Sequence, residues 1–106
     1  MEDALKIKEA KNGEIILTEV SSKGATALIP VPDTADIYRV EVFIEDVQVA
    51  EKKELEPAGE YYEVSVPKDH LQTYVTRKVA FTYTLYDVYD NQWGPSEPVS
   101  YLIRQS

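Results

Sequence analysis

The chain has 106 residues, 43% of them hydrophobic and 28% charged, and its nineteen acidic against eleven basic side chains leave a net charge of −8. A chain of this length encloses one hydrophobic core, so a single domain over residues 1–106 is expected, with the composition of a globular protein rather than a disordered tail. The negative balance argues against nucleic acid, whose affinity rests on Lys and Arg; the absence of cysteine excludes a disulfide framework and a thiol nucleophile; and no apolar run approaches the roughly 20 residues of a membrane-spanning helix.

The opening "MEDALKIKEAKNG" lacks the apolar stretch and small-residue cleavage pattern of a signal peptide. Two locations stay open: the cytoplasm, or the cell surface or exterior for a piece of a larger exported protein. "LKIKE", "EIILTEV" and "TALIPV" follow as short β candidates, rich in β-branched residues and separated by turn signals at Asn12-Gly13 and Lys23-Gly24. After Pro32-Asp33 comes "DIYRVEVFIED". Strict alternation there puts Tyr38, Val40, Val42 and Ile44 on a core face, with Ile37, Arg39, Glu41, Phe43 and Glu45 opposite.

"VQVAEKKEL" is a further strand candidate, closed by Pro57-Ala58-Gly59. Between Glu41 and Glu63 lie eight acidic residues and only Lys52 and Lys53 as basic ones. A solvated face accounts for this run; the sharper alternative is an acidic patch that docks on a basic partner or mimics nucleic acid. "EYYEVSV" sets Tyr62, Val64 and Val66 against Tyr61, Glu63 and Ser65. "VPKDHLQTY" breaks the period of two. Its proline suits a first helical position, and one helical turn near Lys68 to Thr73 would let Leu71 plug the core.

"KVAFTYTLYDV" alternates again, with Val79, Phe81, Tyr83 and Leu85 inward, and "PVSYLIR" does so with Val99, Tyr101 and Ile103. The expected core therefore contains Val40, Val42, Val64, Phe81, Tyr83 and Ile103. Seven or eight strands with regular turns in about 100 residues, too closely spaced for βαβ units, point to an all-β antiparallel sandwich with one short helical connector.

Catalytic chemistry is not expected. The sole histidine, His70, lies in a polar connector, and no nucleophile elbow, phosphate-binding loop or dinucleotide motif occurs among four glycines. Asp87, Asp90 and Asn91, with Glu45 and Asp46, offer oxygen donors of the kind calcium takes. The same residue types are ordinary turn formers, and the expectation is no metal and no cofactor. Tyr86, Asp87, Tyr89, Asp90, Asn91 and Trp93, in and around the turn "DVYDNQWG", are the candidate binding residues. Two readings stand for their aromatics: a platform for a protein or glycan, or a cap on one end of the core.

The order "IKEAKNGEIILTEVSSKGATALIPVP", then "EVSVPKDHL", then "VAFTYTLYDVYDNQWGPSEPVSYLI" resembles the immunoglobulin-like repeat domains of bacterial surface and secreted proteins. The closing "WGPSEPVS" is similar to the end of a fibronectin type III domain. The resemblance covers about Leu5 to Arg104 and implies an immunoglobulin-like sandwich acting as a structural spacer or as a module presenting loops to a protein, a glycan or an adjacent repeat. A free-standing acidic protein that inhibits or docks on a basic partner is the alternative.

Overall fold

Side-chain alternation builds most of this molecule. The computed structural model describes residues 3–32 and 36–106, so Asp33 of the Pro32-Asp33 turn lies outside the described residues. Nine strands occur among them: β1 (Lys6–Ile7), β2 (Glu14–Ile16), β3 (Ala25–Pro30), β4 (Ile37–Ile44), β5 (Val47–Lys53), β6 (Tyr61–Val66), β7 (Lys78–Asp87), β8 (Gln92–Trp93) and β9 (Val99–Arg104). One short helix, α1 (Lys68–Gln72), and a 3-10 turn at Leu17–Glu19 complete the described structure. The strands form two sheets, β1-β3-β6 and β2-β9-β7-β4-β5, with β8 also paired to β7. The chain is all-β, with a single short helix among the described residues.

The two sheets share one core. Ala25, Ala27 and Ile29 of β3 and Tyr62, Val64 and Val66 of β6 meet Val40, Val42 and Ile44 of β4, Val79, Phe81, Tyr83 and Leu85 of β7 and Ile103 of β9 in a single buried cluster. All six residues expected in the core are there. Phe81 packs edge-on against Tyr101, with ring centroids 5.6 Å apart and planes at 82°. Leu71 of α1 is fully buried, closing the core at the end where β7 begins, while His70 beside it is exposed.

One face assignment is corrected. A bulge between Ile37 and Arg39 in the pairing of β4 with β7 shifts the alternation by one residue. Ile37 turns into the core and Tyr38 is half-buried outside the buried cluster, the reverse of strict alternation. An extra residue on one strand of an antiparallel pair has this effect on every side chain beyond it.

Two further features depart from a regular antiparallel plan of seven or eight strands. First, β2 runs parallel to β9, with Glu14 opposite Leu102 and Ile16 opposite Arg104. The chain passes from β1 to β2, and so from one sheet to the other, without reversing overall direction. Second, β8 and β9 are a single return along β7, interrupted over 94–98, where the Gly94–Pro95 peptide is cis. Ser96 bridges the gap: its N–H donates to the Tyr83 carbonyl at 2.9 Å, and its Oγ accepts from the Tyr83 N–H at 3.0 Å. The central strand therefore keeps its backbone partners through the irregular stretch.

Two tight turns place two consecutive residues at positive φ. Asn12 (φ 53°) and Gly13 (φ 78°) make the tight turn between Lys11 and Glu14, as Asn-Gly is suited to do. Glu45 (φ 49°) and Asp46 (φ 70°) do the same between β4 and β5. The Glu45 carboxylate is tied down there, accepting from the Ala80 N–H at 2.7 Å.

Candidate functional site

The hairpin joining β7 to β8 stands at the end of the molecule opposite α1. The alternation of β7 continues past Leu85, so Asp87 takes the next inward position and is only 7% exposed. Its carboxylate organises the turn. Oδ1 accepts from the Tyr89 N–H at 2.8 Å and the Asn91 N–H at 2.9 Å. Oδ2 accepts from Asn91 Nδ2 at 3.0 Å and Trp93 Nε1 at 3.3 Å. Burial pushes the Asp87 carboxyl up, but the Asn91, Tyr89 and Trp93 donors outweigh it and hold it below the usual aspartate range. With its oxygens directed at N–H groups, Asp87 is the frame of the hairpin, and a cation would have to displace those donors.

Trp93, opposite Leu85 in the ladder, is half-buried and packs against the core. Asp90, at φ 63°, is exposed and accepts from Tyr38 Oη at 2.9 Å, which raises the Tyr38 phenol above its ordinary value. Asn91 is spent on Asp87. Val88 and Tyr89 remain as the projecting pair, 54% and 80% exposed. The Val88 N–H donates to the Asp36 carbonyl at 3.0 Å, so both sides of the turn are anchored.

Tyr86 belongs to a different surface, the face of the larger sheet turned away from the core. The Arg39 guanidinium lies 4.0 Å from the Tyr86 ring centroid and 6.0 Å from that of Tyr38. Tyr86 Oη donates to Glu41 Oε1 at 3.2 Å. Burial, aided by Glu41, raises the Tyr86 phenol. Arg39 Nε is buried without a hydrogen-bond partner among the described residues, its loss of water offset by the aromatic ring beneath it.

The six candidate binding residues thus divide by place. Asp87, Asn91 and Trp93 form the frame, Tyr89 projects from it, Asp90 braces Tyr38, and Tyr86 sits on the sheet face. Sequence reasoning passed over Val88 as a surface residue and Tyr38 and Arg39 as neighbours of this hairpin. The exposure of Val88 is legible once Asp87 is placed inward, because the turn then begins at the next residue.

A surface depression of about 780 Å³ lies beside the same end, lined by Lys6, Pro30, Pro32 and Tyr61 among others. A smaller one of about 210 Å³ lies between Phe43, Thr84, Gln92 and Pro95. Among the described residues no three His, Asp or Glu side chains converge as a metal site, and no helix is long and apolar enough to cross a membrane. No protein-family model, curated protein or solved structure matches this chain.

Proposed function

We propose that this protein is a non-catalytic interaction module of the immunoglobulin-like sandwich class, of the kind found in bacterial surface and secreted proteins, and that it presents the β7–β8 hairpin to a protein partner. The strand order supports the fold reading. With β1, β3 and β6 taken as strands A, B and E, and β2, β9, β7, β4 and β5 as A′, G, F, C and C′, the order is that expected of such a sandwich. The observation that carries the functional reading is the turn itself. A carboxylate bound by four N–H groups holds Val88 and Tyr89 out into solvent, so little ordering entropy is lost when a partner covers them.

The test is a photo-crosslinking residue at position 89, with Ser100 on the side of the sheet as control, followed by reconstitution with the purified captured protein. Tyr89→Ala is expected to weaken that complex at least about tenfold, as loss of an aromatic anchor does, with an unchanged melting temperature. Equal capture from both positions, or an affinity indifferent to Tyr89→Ala, overturns the reading.

A second reading has its own observation. Of the eight acidic residues from Glu41 to Glu63, seven are exposed, and Glu51 alone has an ion pair among the described residues. A docking protein for a basic partner would use this surface. Its complex would weaken steeply with salt and survive Tyr89→Ala.

A further inference from the structure

The outer face of the larger sheet carries polar side chains that the fold does not use. β7 sends Phe81, Tyr83 and Leu85 inward, so Thr82 and Thr84 stand on the outer face, opposite Phe43 and Glu41 of β4. A threonine hydroxyl on such a face ordinarily reaches bulk water, yet Thr84 is only 5% exposed. The chain leaving β8 crosses it closely: a Cβ on Gly94 would lie 3.1 Å from the Tyr83 carbonyl oxygen and 3.4 Å from Thr84 Cα. Buried polar groups are as a rule hydrogen-bonded. The Thr84 side chain has no hydrogen-bond partner among the described residues, and it lines the 210 Å³ depression instead.

That depression is bounded by Phe43, Asp46, Thr82, Thr84, Gln92 and Pro95. Its other polar side chains are equally uncommitted. The Asp46 carboxylate, the Thr82 hydroxyl and the Gln92 amide make no side-chain hydrogen bond, and Asp46 no ion pair, among the described residues. Nearby acids are already engaged, Glu41 by Tyr86 Oη and Glu45 by the Ala80 N–H. The cations on β4 and β7 are Arg39, held over the Tyr86 ring, and Lys78, four residues before Thr82 and so about 13 Å from it along the strand. What remains is an acceptor-rich hollow with one free carboxylate, no lining base, and the Phe43 ring and Pro95 as apolar walls.

We propose that this hollow binds a primary ammonium group on an alkyl stem. An ammonium has three donors and no acceptor, which suits the Asp46 carboxylate, the Gln92 carbonyl oxygen and the two threonine hydroxyls. Phe43 and Pro95 cover the stem, and an aromatic face also attracts a cation. The volume of about 210 Å³ is smaller than the roughly 300 Å³ and more of drug-sized ligand sites, so it takes one such group rather than a large molecule. Calcium needs six to eight oxygens, more than one carboxylate and its neighbours supply. The ammonium comes from a lysine side chain of a peptide or from a free polyamine, and the net charge of −8 attracts both. Val88 and Tyr89 take no part, so the site stands apart from the hairpin reading. It also differs from diffuse attraction by the acidic run, because it depends on an uncharged hydroxyl.

The test is an amide chemical-shift titration of the isotope-labelled protein with n-butylamine at neutral pH, in roughly 0.15 M salt to screen diffuse attraction. Saturable shifts are expected at Phe43, Asp46, Thr82, Thr84 and Gln92, and none there with n-butanol, the same stem without charge. Thr84→Val should weaken binding at least about fivefold while melting at or above the wild type, since a methyl replaces a buried hydroxyl that has no partner. Thr82→Val serves in its place if Thr84→Val melts lower. Asp46→Asn should weaken binding by about tenfold or more through loss of the charge. Tighter binding of Nα-acetyl-lysine methylamide than of spermidine identifies a peptide lysine as the source, and the reverse a polyamine. Shifts spread evenly over Glu51 to Glu63, equal shifts from n-butanol, or an affinity unchanged by the threonine variants overturn the site.

Discussion

At the scale of single residues, Asp87 decides the most. Its two oxygens divide the work: one holds the backbone of the turn through Tyr89 and Asn91, and the other holds two side chains, Asn91 and Trp93. Asp87→Asn keeps one acceptor but turns a donor towards Asn91 Nδ2 or Trp93 Nε1, and Asp87→Ala removes both acceptors. Both variants are expected to melt below the wild type at neutral pH, the alanine variant lower. The pH dependence has a definite sign. The folded carboxyl is held below the ordinary aspartate value, so its contribution is complete above the unfolded value of about 3.9 and is lost as pH falls through the lower folded value. The stability gap between wild type and Asp87→Ala in denaturant melts should thus be constant from neutral pH to about pH 5 and shrink below pH 4. A gap that persists unchanged in strong acid would mean that the charge on Asp87 contributes nothing.

At the scale of elements, turns set the pairings, and two glycines separate conformational need from lack of space. Gly13 and Gly24 both have positive φ, 78° and 104°. A Cβ on Gly13 would meet nothing within 4 Å, whereas one on Gly24 would come within 2.0 Å of the Val66 carbonyl oxygen. Gly13→Ala should therefore cost only the backbone strain, about 1–2 kcal/mol, and Gly24→Ala distinctly more, because β3 must move away from the end of β6. Denaturant melts of the two variants measure the difference directly. Equal losses would show that the approach to Val66 relaxes freely.

The same elements show what can be read from sequence. β6, β7 and β9 follow their apolar alternation because each has one face on the core, so Val64, Phe81, Tyr83 and Ile103 were legible. Leu71 in α1 was legible from the break in that period. The bulge at Tyr38 was not, since an extra residue shifts the register without a required residue type, and strict alternation then inverted Ile37 and Tyr38. The turn at Glu45 and Asp46 was hidden because neither is the glycine or asparagine that usually occupies positive φ. For the candidate site, the location of the hairpin was legible from "DVYDNQWG". Its division into frame and projecting residues was not, because it depends on which way the Asp87 carboxylate points.

At the scale of the whole molecule, one buried cluster joins both sheets and the helix, which predicts cooperative unfolding. Phe81 is fully buried at its centre, so Phe81→Ala should cost about 3–5 kcal/mol. Trp93 fluorescence, reporting the hairpin end, and far-ultraviolet circular dichroism, reporting the sheets, should shift together to the same lower midpoint. Separated midpoints would mean that the hairpin end opens independently of the core.

The parallel pairing of β2 with β9 acquires a meaning when the molecule is pulled by its two ends. Force applied near Asp3 and at Ser106 is directed along the long axis, because the chain enters towards the hairpin end, where the Asp3 carbonyl accepts from Tyr83 Oη, and leaves at the other, where Arg104 lies beyond Lys78. β2 is drawn towards the hairpin end and β9 towards the opposite one. Two adjacent strands loaded in opposite directions along their length slide past one another, so the Glu14–Leu102 to Ile16–Arg104 ladder must yield as a unit rather than bond by bond from one end. Three residues of β-structure thereby become the clamp that takes the load once β1 has come away from β3.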